Sequence, residues 1–289
     1  MTILAQISDS FFNGVVIGSI LSLGAVGLTT VYRILGFPNF AHGDFLTFGA
    51  YMVLFLNVDH GLPFVLSMVG AIPIGIALVF VLEKALWKPL REKDAGNISM
   101  LIASIGLALF LRHLILFIFG SSPDNYSLTI YKGFSFAGIT FTTDDLIIIA
   151  VAFSLMVLVY LLLNKTKLGK AMRALADNEN LAKISGINVD RVILGTWIIG
   201  MSLAAIAGCF YGISTTVRPT MGWTLLLPMF AAVILGGIGN PYGAMIGGLI
   251  VGISQEVSAV FIPSEYKAAL SFVLIIVLLL WRPKGLMGG

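Results

Sequence analysis

Nine apolar runs, each near the length needed to cross a bilayer, follow one another along the chain with short polar gaps between them: 11–32, 41–58, 62–82, 98–119, 146–163, 192–217, 225–238, 244–262 and 268–281. A helix rises about 1.5 Å per residue, so about 20 apolar residues span a hydrocarbon layer of roughly 30 Å. None of the runs alternates as a barrel strand does, and lipid offers the backbone no hydrogen-bond partner, so these runs can hold only as helices. The second and seventh are short or rich in glycine and read as broken or re-entrant elements, which leaves eight or nine crossings. The expected fold class is all-α, a polytopic integral membrane protein. Only 11% of the 289 residues are charged, against about 25% in a soluble domain. No linker divides the chain, so 1–289 reads as a single transmembrane domain.

The basic residues orient it. Lys84, Lys88, Arg91 and Lys93 share one gap, Lys165, Lys167, Lys170, Arg173, Lys183 and Arg191 share another, and Arg282 and Lys284 close the chain. The gaps on the other side hold Lys132, Arg218 and Lys267, and the widest of them, 124–145, has Pro123, Gly133 and Gly138 as turn residues. An excess of Lys and Arg marks the cytoplasmic side, so the carboxyl terminus is expected inside. Nine crossings would put the amino terminus outside and eight would put it inside. The first run lacks the basic flank and small-residue cleavage site of a signal peptide and is expected to remain as a span. Cys209, the one cysteine, has no disulfide or thiol-ligand partner and reads as a small packing residue. No metal, bound cofactor or nucleic-acid partner is expected of this chain, whose surroundings are membrane lipid.

The interval 164–191 is the longest polar stretch between two apolar runs. Leu168, Ala171, Met172 and Leu175 recur in it at helical spacing with Lys170, Arg173, Asp177 and Asn178 between them, and Gly186 is a helix stop. An amphipathic helix over 168–184, lying on the membrane surface or docked in a groove of a soluble partner, has this pattern.

Three other features carry polar chemistry. Residues 36–44 contain Pro38, Asn39, His42, Gly43 and Asp44. Pro38 ends the preceding helix, Asn39 can cap the next, and two ionisable groups at membrane depth are costly and often functional. A capped helix start explains them equally well. Gly239, Gly243 and Gly247 recur every four residues and Gly252 pairs with Gly248, a spacing that lets helices approach closely in lipid. The run 236–243 lacks the Lys-Ser/Thr ending of a phosphate-binding loop, which excludes nucleotide binding there. Arg112 and His113, with Glu256, are ionisable groups near the outer ends of their runs; they can snorkel, or face one another and line a route for a zwitterion.

The chain resembles the permease subunits of branched-chain and neutral amino-acid ABC importers, the LivH-type family. The segments that carry the resemblance are 39–44 with Gly49-Ala-Tyr51, 169–174 through Ala182 and Gly186-Ile187, and 236–239 through Gly243, followed by 282–286. It implies a subunit of the bacterial inner membrane that forms half of a translocation path. The implied partners are a second, related permease or a second copy of the chain, two cytoplasmic ATPase subunits that carry ATP and magnesium, and a periplasmic solute-binding protein. It also implies that Arg173, Ala174, Asp177, Asn178, Ala182 and Gly186 meet an ATPase, although the usual Glu-Ala-Ala opening is Arg173-Ala-Leu-Ala176 here. Asn39, His42, Gly43, Asp44 and Glu256 are the candidate path residues. A sister group carries urea and short amides across the same motifs. An autonomous channel or ion-coupled carrier built on His42, Asp44 and Glu256 is the alternative from another class; an enzyme is not expected, since no nucleophile accompanies His42.

Overall fold

A computed structural model describes residues 3–128, 133–136, 139–263 and 266–288; Lys132 and Gly138 lie outside the described residues. Each of the nine apolar runs is a helix. They are α1 (Ile3–Leu35), α2 (His42–Leu54), α3 (Phe64–Leu82), α5 (Asn97–Phe119), α6 (Thr143–Lys165), α9 (Val189–Ser214), α10 (Met221–Gly236), α11 (Pro241–Ser258) and α12 (Lys267–Trp281). The short α4 (Lys88–Glu92), α7 (Lys167–Asp177) and α8 (Glu179–Ile184) lie in the gaps. The strands among the described residues are one antiparallel pair, β1 (Phe134–Phe136) with β2 (Ile139–Phe141), in register Phe134 to Phe141.

Local sequence sets several of the helix starts. Thr142 and Asp145 form a reciprocal capping box on α6, Asn188 accepts from the Arg191 amide on α9, and the Asn240 side chain accepts from the amides of Tyr242 and Gly243 on α11. The same chemistry corrects the expectation of one amphipathic helix over 168–184. Asn178 takes an extended backbone, ends α7 and caps α8 through the Leu181 amide, so the segment is two helices.

The centre is built from α1, α2, α9, α10 and α11, while α3, α5 and α6 present apolar side chains outward. Lipid tails are as apolar as leucine, so helices in a bilayer gain little by hiding apolar surface and much by close contact. The contact here is backbone on backbone. A Cβ on Gly252 would run into the backbone of Gly18, one on Gly243 into Gly236, one on Gly247 into Ala232, and one on Gly49 into Ala205. Gly239 is a correction to the packing stripe: it sits in the turn between α10 and α11 at φ +81°, where a Cβ would meet only the Arg33 side chain at 3.9 Å, and serves backbone geometry rather than helix contact.

The ends of the molecule sort by charge. The carboxyl end of α1, the amino ends of α5 and α9, and α4, α7 and α8 together line one cleft of about 510 Å³. The last residues pack there too, the Leu286 and Met287 amides donating to the carbonyls of Leu235 and Gly236. The amino end of α1 lies at the other end, where Phe12 meets Phe141 with ring centroids 5.7 Å apart. The first and last described residues therefore lie toward opposite ends, as an odd number of crossings such as nine would place them.

Replacing Gly252 with Val forces α11 off α1. A loss of about 1–3 kcal/mol is the usual cost of overpacking, read as a lower melting temperature of the detergent-purified protein. Gly106→Val, on the open face of α5 with no atom near its Cβ position, is expected to melt as the parent does.

Candidate functional site

Two helices begin inside the body rather than at its ends. After α1 stops at Leu35, residues 36–41 turn back into the molecule, and α2 starts beside the middle of α1: His42 Nε2 donates to the Gly24 carbonyl at 2.9 Å, about three turns before the end of α1. On the opposite end, α9 stops at Ser214, the backbone pairs Val217 with Asp124, and α10 starts at Met221. The two starts meet. Neither Gly43 nor Gly222 has room for a Cβ because each abuts the other's carbonyl, and the Gly222 amide donates to Thr47 Oγ1 at 3.0 Å.

Asp44 sits in the first turn of α2, where the helix dipole favours an anion. Arg112 of α5 holds it with two hydrogen bonds, Nε to Oδ1 and Nη2 to Oδ2, both 3.2 Å. The guanidinium also lies 4.6 Å from the centre of the Trp223 ring on α10. Side-chain exposure is 1% for Asp44 and 12% for Arg112, so this is a buried pair. Asn39 is buried as well. The expected cap is corrected: Ala41, two residues on, takes the cap position with no side-chain cap bond, Asn39 Oδ1 accepts from the Ala41 amide, and Asn39 Nδ2 finds no partner among the described residues.

The structure therefore brings together Asn39, His42, Gly43 and Asp44, and it adds Arg112, Trp223, Thr47 and Gly222. It does not bring Glu256 to them. Both Glu256 carboxylate oxygens accept from Lys267 Nζ at 2.8 Å, from the end of α11 to the start of α12. Arg112 was named in the sequence as an ionisable group that could line a route, without its partner; Trp223 and Thr47 gave no signal.

At the basic end, α7 buries Met172 and Leu175 and α8 buries Ala182. Arg173 turns inward to the Leu163 carbonyl, and Ala174 is half-buried, while Asp177, Asn178 and Gly186 are exposed. The outward face of α8 carries two large apolar side chains, Leu181 at 58% and Ile184 at 82% exposure. A second buried charge lies beneath this surface. Glu83, turned inward by a π-helical turn Glu83–Trp87 that follows α3, accepts from Arg91 and, at 2.7 Å, from Trp197 Nε1.

A family model described as branched-chain amino acid transport system / permease component matches residues 10–279. The chain belongs to that family. Among the relatives of this branched-chain amino acid permease, the high-affinity branched-chain amino acid transport system permease protein LivH of Escherichia coli K12 is 36% identical, covering 97% of this chain and 95% of that protein. The corresponding protein BraD of Pseudomonas aeruginosa is 33% identical over 96% and 94%. The fold is similar to that of PsaBC from Streptococcus pneumoniae in complex with Fab, with a TM-score of 0.53 at 14% identity over 94% of this chain and 91% of that one. The permease is thus a multi-pass membrane protein, and its relatives are named as transport components.

Removing one member of the Asp44–Arg112 pair leaves a buried charge alone, a cost of about 3–5 kcal/mol. Arg112→Gln is expected to lower the melting temperature in detergent strongly. The neutral pair Asp44→Asn with Arg112→Gln is expected to recover most of that loss, a coupling that a double-mutant cycle reads directly.

Proposed function

We propose that this chain is a permease subunit of an ATP-driven importer for branched-chain or other neutral amino acids, in a bacterial inner membrane, with its basic end and carboxyl terminus in the cytoplasm. It forms half of the path, beside a second permease or a second copy of itself. Two ATPase subunits, which carry the ATP and magnesium, drive it, and a periplasmic solute-binding protein loads it. Relatives named for branched-chain amino acids favour that cargo over urea or short amides.

The observation that carries the reading is the exposed face of α8. Leu181 and Ile184 stand out from the cationic end of a membrane protein, on a helix pair whose other side is packed into the body. Isolated apolar side chains on a surface mean little, but a short amphipathic helix with a seated inner face and two bare apolar residues outward fits a groove in another protein. The residues 173, 174, 177, 178, 182 and 186 form the frame of this handle. Arg173 and Ala182 hold it to the body, and Gly186, at φ +82°, turns the chain back toward α9. An ATPase that closes on ATP can rock the permease only through a contact of this kind.

Leu181→Asp with Ile184→Asp alters the exposed face alone. The permease is expected to reach the membrane with its parent's melting temperature, while binding-protein-dependent leucine uptake by the assembled complex falls at least about tenfold, the effect of losing about 1.4 kcal/mol or more of contact. Uptake at the parental rate would remove α8 from the coupling surface.

A further inference from the structure

The Asp44–Arg112 pair is one end of a larger feature that runs along α2 and α5, with Trp223 of α10 beside the guanidinium. Asp44 and Arg112 make their two hydrogen bonds to each other through one edge of the guanidinium. A guanidinium has five N–H donors, so the other edge is unused among the described residues. Beside it, Trp223 is 43% exposed although it is a large aromatic at the start of a half-helix. One turn further along both helices, Phe48 and Met52 of α2 and Leu111, Ile115, Ile118 and Phe119 of α5 line a groove of about 230 Å³ with no polar surface. By helical spacing the apolar groove continues the strips of α2 and α5 that carry Asp44 and Arg112, with Trp223 beside the guanidinium.

We infer that this face is a binding station for a zwitterionic aliphatic α-amino acid, resting on the permease reading above. The α-carboxylate takes the free edge of Arg112, where two parallel N–H groups suit a carboxylate. Asp44 holds the guanidinium in place and cancels its charge, so the site favours a net-neutral ligand over a simple anion. The ammonium lies against the exposed Trp223 indole, which attracts cations through its face. The aliphatic side chain enters the groove, whose lining is wholly apolar and whose volume of about 230 Å³ admits a branched C4 group. Urea has neither the carboxylate nor the apolar tail and would leave both halves of the station unused.

Assembled importer, with its ATPase subunits, partner permease and binding protein, is reconstituted in liposomes and maximal uptake of radiolabelled leucine and valine is measured at saturating substrate and binding protein. Ile115→Phe shortens the groove and is expected to lower the leucine-to-valine ratio of maximal rates about fivefold, a readout independent of protein amount. Asp44→Asn with Arg112→Gln is expected to lower the maximal rate for both at least tenfold. A ratio within twofold of the parent for Ile115→Phe overturns the station, as does parental uptake by the neutral pair; should the neutral pair fail to assemble, the Ile115→Phe ratio decides. Absence of ATP-dependent amino-acid uptake by the parental complex would instead overturn the permease reading itself.

Discussion

Direct approach of backbone to backbone is the constraint on which this structure depends. In lipid, helices cannot be driven together by hiding apolar surface, so stability falls to short-range contact, and short-range contact requires that side chains be absent at the crossing points. The long central helix α1 meets α11 through Gly14, Gly18, Gly248 and Gly252, and α9 meets α2 at Gly49 and Gly208. At these points the backbone of one helix stands where a Cβ on the other would lie, and a methyl group would separate them. The outer helices α3, α5 and α6 have few such crossings and carry their apolar side chains toward lipid or partners.

That tight centre is what allows two helices to begin in the interior. A helix start leaves amides without intrahelical partners, and in lipid these would be prohibitively exposed. Here α2 and α10 solve the problem against each other, since Gly222 donates to Thr47 and the two glycines permit the crossing. The start of α2 is then a pocket of positive potential inside the protein, into which Asp44 fits, and Asp44 in turn fixes Arg112. The buried ion pair is a consequence of the broken helix, and the broken helix a consequence of the glycines.

The sequence made the first of these levels legible and not the last. Length and hydropathy placed all nine helices because both are local properties. The spacing of glycines named Gly243, Gly247 and Gly252 as contact points, but a period of four ran on through Gly239, where the chain is turning and the glycine answers to φ instead. A helical period over 168–184 likewise hid the break at Asn178, whose side chain stabilises a stop and a start equally well. The partner of Asp44 lies 68 positions away, and nothing along the chain marks that distance. Glu256 looked like a path residue because it is an acid within an apolar run, yet its partner Lys267 stands just past the next turn.

What lies between the basic end and the pair is a chain of side-chain contacts. Arg91 lines the cleft beneath α7 and α8 and holds Glu83, which also holds Trp197; Trp197 stacks on Trp87 at 6.0 Å, and Phe37 rests on Trp87 at 5.1 Å. Contiguity alone transmits nothing. In this cluster, however, Glu83 cannot part from Arg91 without leaving a buried carboxylate unpaired, so the group shifts together or not at all. Phe37 belongs to the non-helical segment 36–41, which ends at Asn39 and the start of α2. A closely tied cluster at the basic end therefore adjoins the least regular stretch of the interior, and that stretch leads into the helix start that holds Asp44.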